Sequence, residues 1–261
     1  MVDIIIEYAA LNPVKTRAFK LLFFCFWSYF MISCKCIKTK IEKREHMRFF
    51  KNDIDDSVVK NFIERVCIDF EFELERTQRE LGENPLCYKE KTMSSFLFPA
   101  LQNNSIRTLM EVYYQNGHRN YLDFYSLDKT RKCSYLIEFK HCFWGYKQKE
   151  FNKTDWSKWN EVNEQIEKLE KEIVNEYIDS DKTIYGLSLY MLTVTVPKEE
   201  NDNEKIEKNI IAEIKKDMPD CDWGWVYELP EVLNYIDNET DSEIDKYSHV
   251  IFIGKVKKLD E

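Results

Sequence analysis

The sequence predicts an α/β fold in which helices flank one mixed central sheet, and three observations predict it. Apolar residues recur at helical spacing over Val58–Leu81 and again after Trp159. Between those two stretches lie three short runs rich in β-branched and aromatic residues, separated by turn signals. A fourth, longer apolar run, Ile184–Val196, follows the second helix, so strands that meander come first and a helix-linked strand comes after.

The elements follow in order. Asp56 or Ser57 caps the first helix, whose apolar row is Val59, Phe62, Ile63, Val66, Phe70 and Leu74, and Gly82 with Pro85 ends it. A second short helix covers 92–103. The first strand runs from about Thr108 to Tyr114 and ends at Asn116-Gly117, a strong turn signal. The second is Tyr121–Leu127, the third Cys133–Trp144. The next helix spans Trp159–Ile178, with Val162, Ile166, Leu169, Ile173 and Tyr177 on one face and acids on the other. Residues 198–222 are highly charged, and Ile206, Ile210 and Ile214 suggest a surface helix in an insertion. Two further strands, Trp223–Leu229 and His249–Val256, close the chain.

Composition narrows the function classes. With 44% apolar and 33% charged residues, a packed core is expected and general disorder is not. Six glycines and six prolines exclude collagen-like and linker-rich designs. A formal charge of −9 excludes a polycation, so any nucleic-acid contact needs a local basic patch. The eight cysteines are scattered, with only Cys34 and Cys36 close together, which fits reduced thiols of a cytoplasmic protein better than a zinc site. No Gly-rich phosphate loop and no nucleophile elbow occurs, so no small-molecule cofactor is expected.

Residues 1–46 differ in character from 47–261, which read as a single domain. Leu21–Cys34 is free of charge but only 14 residues long, where a bilayer span needs about 20. Three readings stand side by side: a natural start at Met47, behind codons for Lys43-Arg-Glu-His46 that resemble a ribosome-binding site; a signal-like or membrane-associated segment over 21–37; and a packed helix. A membrane partner follows only from the second.

The third strand carries the chemistry. Side chains alternate along a strand, so Glu138 and Lys140 share a face with Leu136, while Ile137 and Phe139 turn the other way. Folding the hairpin about Lys129–Lys132 sets Asp128 opposite Cys133 and, counting outward, Asp123 opposite Glu138. Two carboxylates that close repel unless a cation lies between them. Mg²⁺ takes one or two carboxylates and keeps waters for a phosphate. His141 faces away from this pair and reads as a packed histidine. Glu111 on the first strand reads as solvated or ion-paired.

Asp123 on one strand, a hairpin, then Glu138-Phe139-Lys140 on the next resembles the PD-(D/E)XK nuclease superfamily. The resemblance implies a restriction-endonuclease-like core of helix, three strands, helix and strand over residues 57–196. It implies that Asp123, Glu138 and the Phe139 carbonyl ligate Mg²⁺, or Mn²⁺ in its place, and that Lys140 assists the attacking water in phosphodiester cleavage. It further implies a role for Gln165 on the following helix and for a glutamate of the first helix. Glu64, Glu71 and Glu73 are open for that role; Glu73 continues the apolar row. Leu122 stands where the family's proline would. The spelling Glu213-Ile-Lys215 recurs in a helix and reads as solvated surface.

After Lys140, lysines alternate with aromatics. Lys147, Lys149, Trp144 and Tyr146 are the expected nucleic-acid contacts, because stacking plus phosphate neutralisation holds single strands. The expected function is thus a Mg²⁺-dependent nuclease acting on DNA or RNA, in defence or a mobile element, for which a homodimer would allow both strands to be cut. The alternative is a non-catalytic protein of the same fold that binds a partner through its acidic surface.

Overall fold

The computed structural model describes residues 47–116, 118–146, 151–170, 182–234 and 245–259. Residues 1–46, with the Cys34/Cys36 pair and the apolar run, lie outside the described residues. So do 171–181, the expected second half of the helix after Trp159.

Strand β1 (Met47–Asn52) is followed by helix α1 (Ser57–Leu81), a single 3-10 turn at Pro85–Cys87, and α2 (Glu90–Asn104). Strands β2 (Ser105–Asn116), β3 (His118–Asp128) and β4 (Cys133–Gly145) come next, then α3 (Lys153–Glu167) and β5 (Thr183–Pro197). The chain closes with α4 (Asn203–Asp217), β6 (Trp223–Glu228), β7 (Asp245–Gly254) and β8 (Val256–Leu259). Among the described residues these strands form one open eight-stranded sheet in the order β1-β6-β7-β5-β4-β3-β2, with β8 continuing beside β5. The β4–β5 pair is parallel and its crossover is α3; every other pair is antiparallel. The fold is therefore α/β with a mixed sheet, as the order of patterns predicts.

Local chemistry explains the boundaries. The Asp56 carboxylate accepts the Val58 amide at 2.7 Å and the Tyr185 hydroxyl at 2.5 Å, which caps α1 and ties its start to β5. Gly82 ends α1 in the left-handed conformation, φ 74°, that glycine adopts without a Cβ penalty. Helix α3 starts at Lys153, six residues earlier than Trp159. Its capping box explains why: Asn152 accepts the amides of Thr154 and Asp155 while Asp155 accepts that of Asn152.

Alternation along β4 sends its side chains into different layers. Tyr135, Ile137 and Phe139 pack with Val59, Phe62, Ile63, Val66 and Leu97 of α1 and α2. On the opposite face Leu136 meets Ile166 and Leu169, while Cys142 and Trp144 join Trp159, Val162 and the isoleucines of α4. Helix α4 is not a surface element: Ile206, Ile210 and Ile214 are fully buried against the sheet. Charges on its other face hide this in the sequence, because one apolar row per turn reads alike on an exposed helix and on a packed one. Strand β1, which the sequence pattern leaves unread, is held as an edge strand by β6. Cys67, Cys87, Cys133, Cys142 and Cys221 are free thiols. Among the described residues no helix is long and apolar enough to cross a membrane.

If α4 is core, Ile210→Ala should cost about 2–5 kcal/mol of unfolding free energy. Lys208→Ala, at a side chain 71% exposed, should stay within about 0.5 kcal/mol of wild type. Urea denaturation of both variants checks this.

Candidate active site

The β3–β4 turn sets the register on which the site depends. Asp128 accepts the amides of Thr130, Lys132 and Cys133 at 2.9–3.1 Å, closing the turn on one carboxylate. From there Leu127–Ser134, Ser126–Tyr135, Tyr125–Leu136 and Phe124–Ile137 pair in step. The regular pairing stops at Phe124–Ile137; Asp123 and Glu138, one step further on, lie near enough for each to perturb the other.

Beyond that point the two strands part. β3 stays with β2 out to its far end, and β4 runs on to Gly145 paired with β5. Across from Asp123, between the pairs Met110–Phe124 and Val112–Leu122, Glu111 of β2 has a φ of 49°. For a non-glycine residue that conformation costs on the order of 1–2 kcal/mol, and it breaks the extended path of β2 at the level of the fork. Asp123 takes over where β3 leaves off: its Oδ2 accepts the Phe139 amide at 2.8 Å. A strand residue sends its N–H and C=O out of the same edge, so the Phe139 carbonyl also leaves β4 on the Asp123 side.

The electrostatics follow from burial. Asp123 and Glu138 lie within side-chain hydrogen-bonding reach of each other, an arrangement that favours a proton on Glu138. Burial, then the Asp123 charge, pushes Glu138 up to about 9. Burial also raises Asp123, against the Phe139 amide and Lys140, which lower it. Glu138 is 1% exposed and its Oε1 has no hydrogen-bond partner. The Lys140 ammonium sits 3.7 Å from Glu90 Oε1 and 3.3 Å from Glu161 Oε1. Burial works to lower Lys140, but Glu90, Asp123 and Glu161 outweigh it and hold the ammonium above its ordinary value. Glu90 further accepts the His141 amide at 3.1 Å and lies 3.6 Å from Lys158.

Among the described residues, no group of three or more His, Cys, Asp or Glu side chains is placed to hold a metal ion. What fits a cation is smaller. A buried acid, Glu138, lies beside a half-buried one, Asp123; Glu138 Oε1 is an orphaned acceptor, and a backbone carbonyl leaves the same edge. These are hard oxygen donors, and Mg²⁺ is content with one or two carboxylates and several waters. A structural cage is not built here.

The other expected residues fall in different places. Gln165 lies one turn after Glu161, on the same side of α3, and its Oε1 is buried without a partner. Glu73 is buried but ion-pairs with Arg76 at 2.7 Å. Its neighbours Glu71 and Glu75 bond Trp225 and Tyr227 on β6, three strands from β4. Trp144 is 2% exposed and packs on Phe151 and Tyr146, while the Tyr146 hydroxyl accepts from Asn209. Trp144 is therefore not displayed for base stacking, whereas Tyr146 is half-buried at the edge of the same cluster. Lys147 and Lys149 lie outside the described residues. His141 is buried against Thr193, at 2.9 Å. Two residues that sequence reasoning missed, Glu90 and Glu161, belong to the cluster. Glu161 carried a signal, standing four residues before Gln165; Glu90, 51 positions from its strand partner, carried none.

No family model, no curated protein and no solved structure matches the chain.

A carboxyl held above its ordinary value supports the fold while protonated. The contribution of Glu138 to metal-free stability should be full below about pH 4.5 and be lost as pH rises through about 9. Glu138→Gln should flatten that slope. In EDTA at pH 9 the variant should be more stable than wild type by on the order of 1–3 kcal/mol, read from denaturant midpoints across pH.

Proposed function

We propose that the protein is a divalent-metal-dependent nuclease of the PD-(D/E)XK type, with a restriction-endonuclease-like core formed by α1, α2, β2–β4, α3 and β5. The observation that carries this reading is the meeting of Asp123 and Glu138 at the β3–β4 fork with Lys140 beside them. The superfamily's chemistry needs two acids and an amine on adjoining strands, and the fork supplies all three.

Asp123, Glu138 and the Phe139 carbonyl would hold Mg²⁺ or Mn²⁺. The bound ion supplies Lewis acidity at a phosphoryl oxygen and a water of lowered pKa. The protein's own groups do the rest. Glu138, protonated toward Asp123 without a cation, gives up that proton when one binds. Asp123 stays anchored on the Phe139 amide through Oδ2. Lys140, kept cationic by its acidic neighbours, holds an N–H donor where a water or a phosphate oxygen would lie. Gln165, with an unpartnered carbonyl on the same side of α3 as Glu161, is a further polar contact. The substrate is a nucleic acid, DNA first. The net charge of −9 leaves its binding to the lysines that follow Glu138.

A second reading, a non-catalytic protein that keeps the fold, draws on one observation: the Lys140 ammonium is already paired with Glu90 and Glu161. The two readings separate in one assay. Purified protein with Mg²⁺ or Mn²⁺ should cleave single- or double-stranded DNA or RNA. Asp123→Ala and Lys140→Ala should each lower the rate about 100-fold or more while circular dichroism stays that of wild type. Absence of metal-dependent cleavage, or variants as active as wild type, would favour the non-catalytic reading.

A further inference from the structure

Past the fork, β4 has no strand on its β3-facing edge among the described residues, yet its amides there still need acceptors. Phe139 finds the Asp123 carboxylate. His141, two residues on and so pointing the same way, finds Glu90 Oε2 at 3.1 Å. The His141 carbonyl in turn accepts the Lys158 ammonium at 2.5 Å, and Lys158 is 3.6 Å from the same Glu90 oxygen. The other Glu90 oxygen lies 3.7 Å from the Lys140 ammonium.

Glu90 is the first residue of α2, where a carboxylate could serve the free amides of its own helix. It does not: no side chain caps α2, and the carboxylate turns to the sheet instead. One group thus touches the β4 backbone, Lys140 and Lys158. Lys140 is a long side chain with much rotamer freedom to lose. A carboxylate anchored on the strand one residue away limits where its ammonium can go.

We infer that Glu90 is a positioning residue, a clasp that replaces the missing strand at the β4 edge and holds Lys140 beside Asp123 and Glu138, and that it is not a metal ligand. Its consequence for catalysis rests on the nuclease reading; the clasp itself does not. Both Glu90 oxygens are engaged with donors, whereas Glu138 Oε1 has none. The two acids therefore differ in kind: one is committed to the protein and the other is open to a ligand.

Glu90→Ala and Glu90→Gln separate the roles, because glutamine keeps an acceptor oxygen for the His141 amide and loses the charge. Three readouts are taken on each full-length variant: hydrogen exchange at the His141 amide by NMR, Mn²⁺ affinity by EPR of the free ion, and steady-state cleavage. In Glu90→Ala, exchange at His141 should speed up about tenfold or more, the loss of a hydrogen bond to a charged acceptor. Glu90→Gln should keep the protection. Mn²⁺ affinity should stay at the wild-type value in both. Turnover should fall in Glu90→Ala with KM unchanged, and recover in part in Glu90→Gln. Unchanged exchange in Glu90→Ala would overturn the clasp, and a loss of Mn²⁺ affinity in both variants would make Glu90 a ligand instead. Should Glu90→Ala not fold, the exchange and Mn²⁺ values of Glu90→Gln decide: lost protection or lost affinity there contradicts the inference. If wild type binds Mn²⁺ but does not cleave, the nuclease reading fails while the exchange and affinity results still settle the role of Glu90.

Discussion

The parting of β3 from β4 is the constraint around which the candidate site is arranged. A strand that loses its neighbour leaves backbone amides and carbonyls that must find other partners. Here side chains take the neighbour's place. Asp123 accepts from Phe139, Glu90 accepts from His141, and Lys158 donates to the His141 carbonyl. Carboxylates are drawn to the fork because the backbone there needs acceptors, and the same carboxylates then create the field that perturbs Glu138 and Lys140. The strand ending and the perturbed carboxyl and ammonium groups share one cause at this point in the sheet.

The fork is placed by packing on both sides. Below the sheet Ile137 and Phe139 are buried in one cluster with residues of α1 and α2. Above it α3 lies close enough for Glu161 to reach Lys140. Glu111, with its left-handed backbone on β2 opposite Asp123, marks where the β2–β3 hairpin departs from regular geometry. Non-glycine residues persist in that region where the surroundings over-determine them. The isoleucines of α4 seal the far end of the same face, and that buries Trp144 and half-buries Tyr146. On the face that carries the acids, Trp144 is therefore closed to a base.

Much of this was legible in the sequence, for identifiable reasons. The nearness of Asp123 to Glu138 follows from a four-residue turn closed by Asp128 and a period of two, both local rules. The type of each long element follows from strong periodicity, and the boundary at Asn152 was there to read in its capping box. Glu90 was not legible: it lies on α2, and only tertiary structure brings that helix end to the β4 edge. The burial of α4 was hidden because an isoleucine every fourth residue is also what a surface helix shows. Trp144 could have been placed. Alternation puts it on the Glu138 side, under the helices, rather than in solvent.

Whether the Asp123–Glu138 pair is a cation site decides between the two readings. Crystals soaked in Mn²⁺ near neutral pH test it most directly, through the anomalous signal of the metal. One strong peak is expected between the two carboxylates, on the side of the Phe139 carbonyl, with any proton shared between the acids gone. No peak there would contradict the cation site.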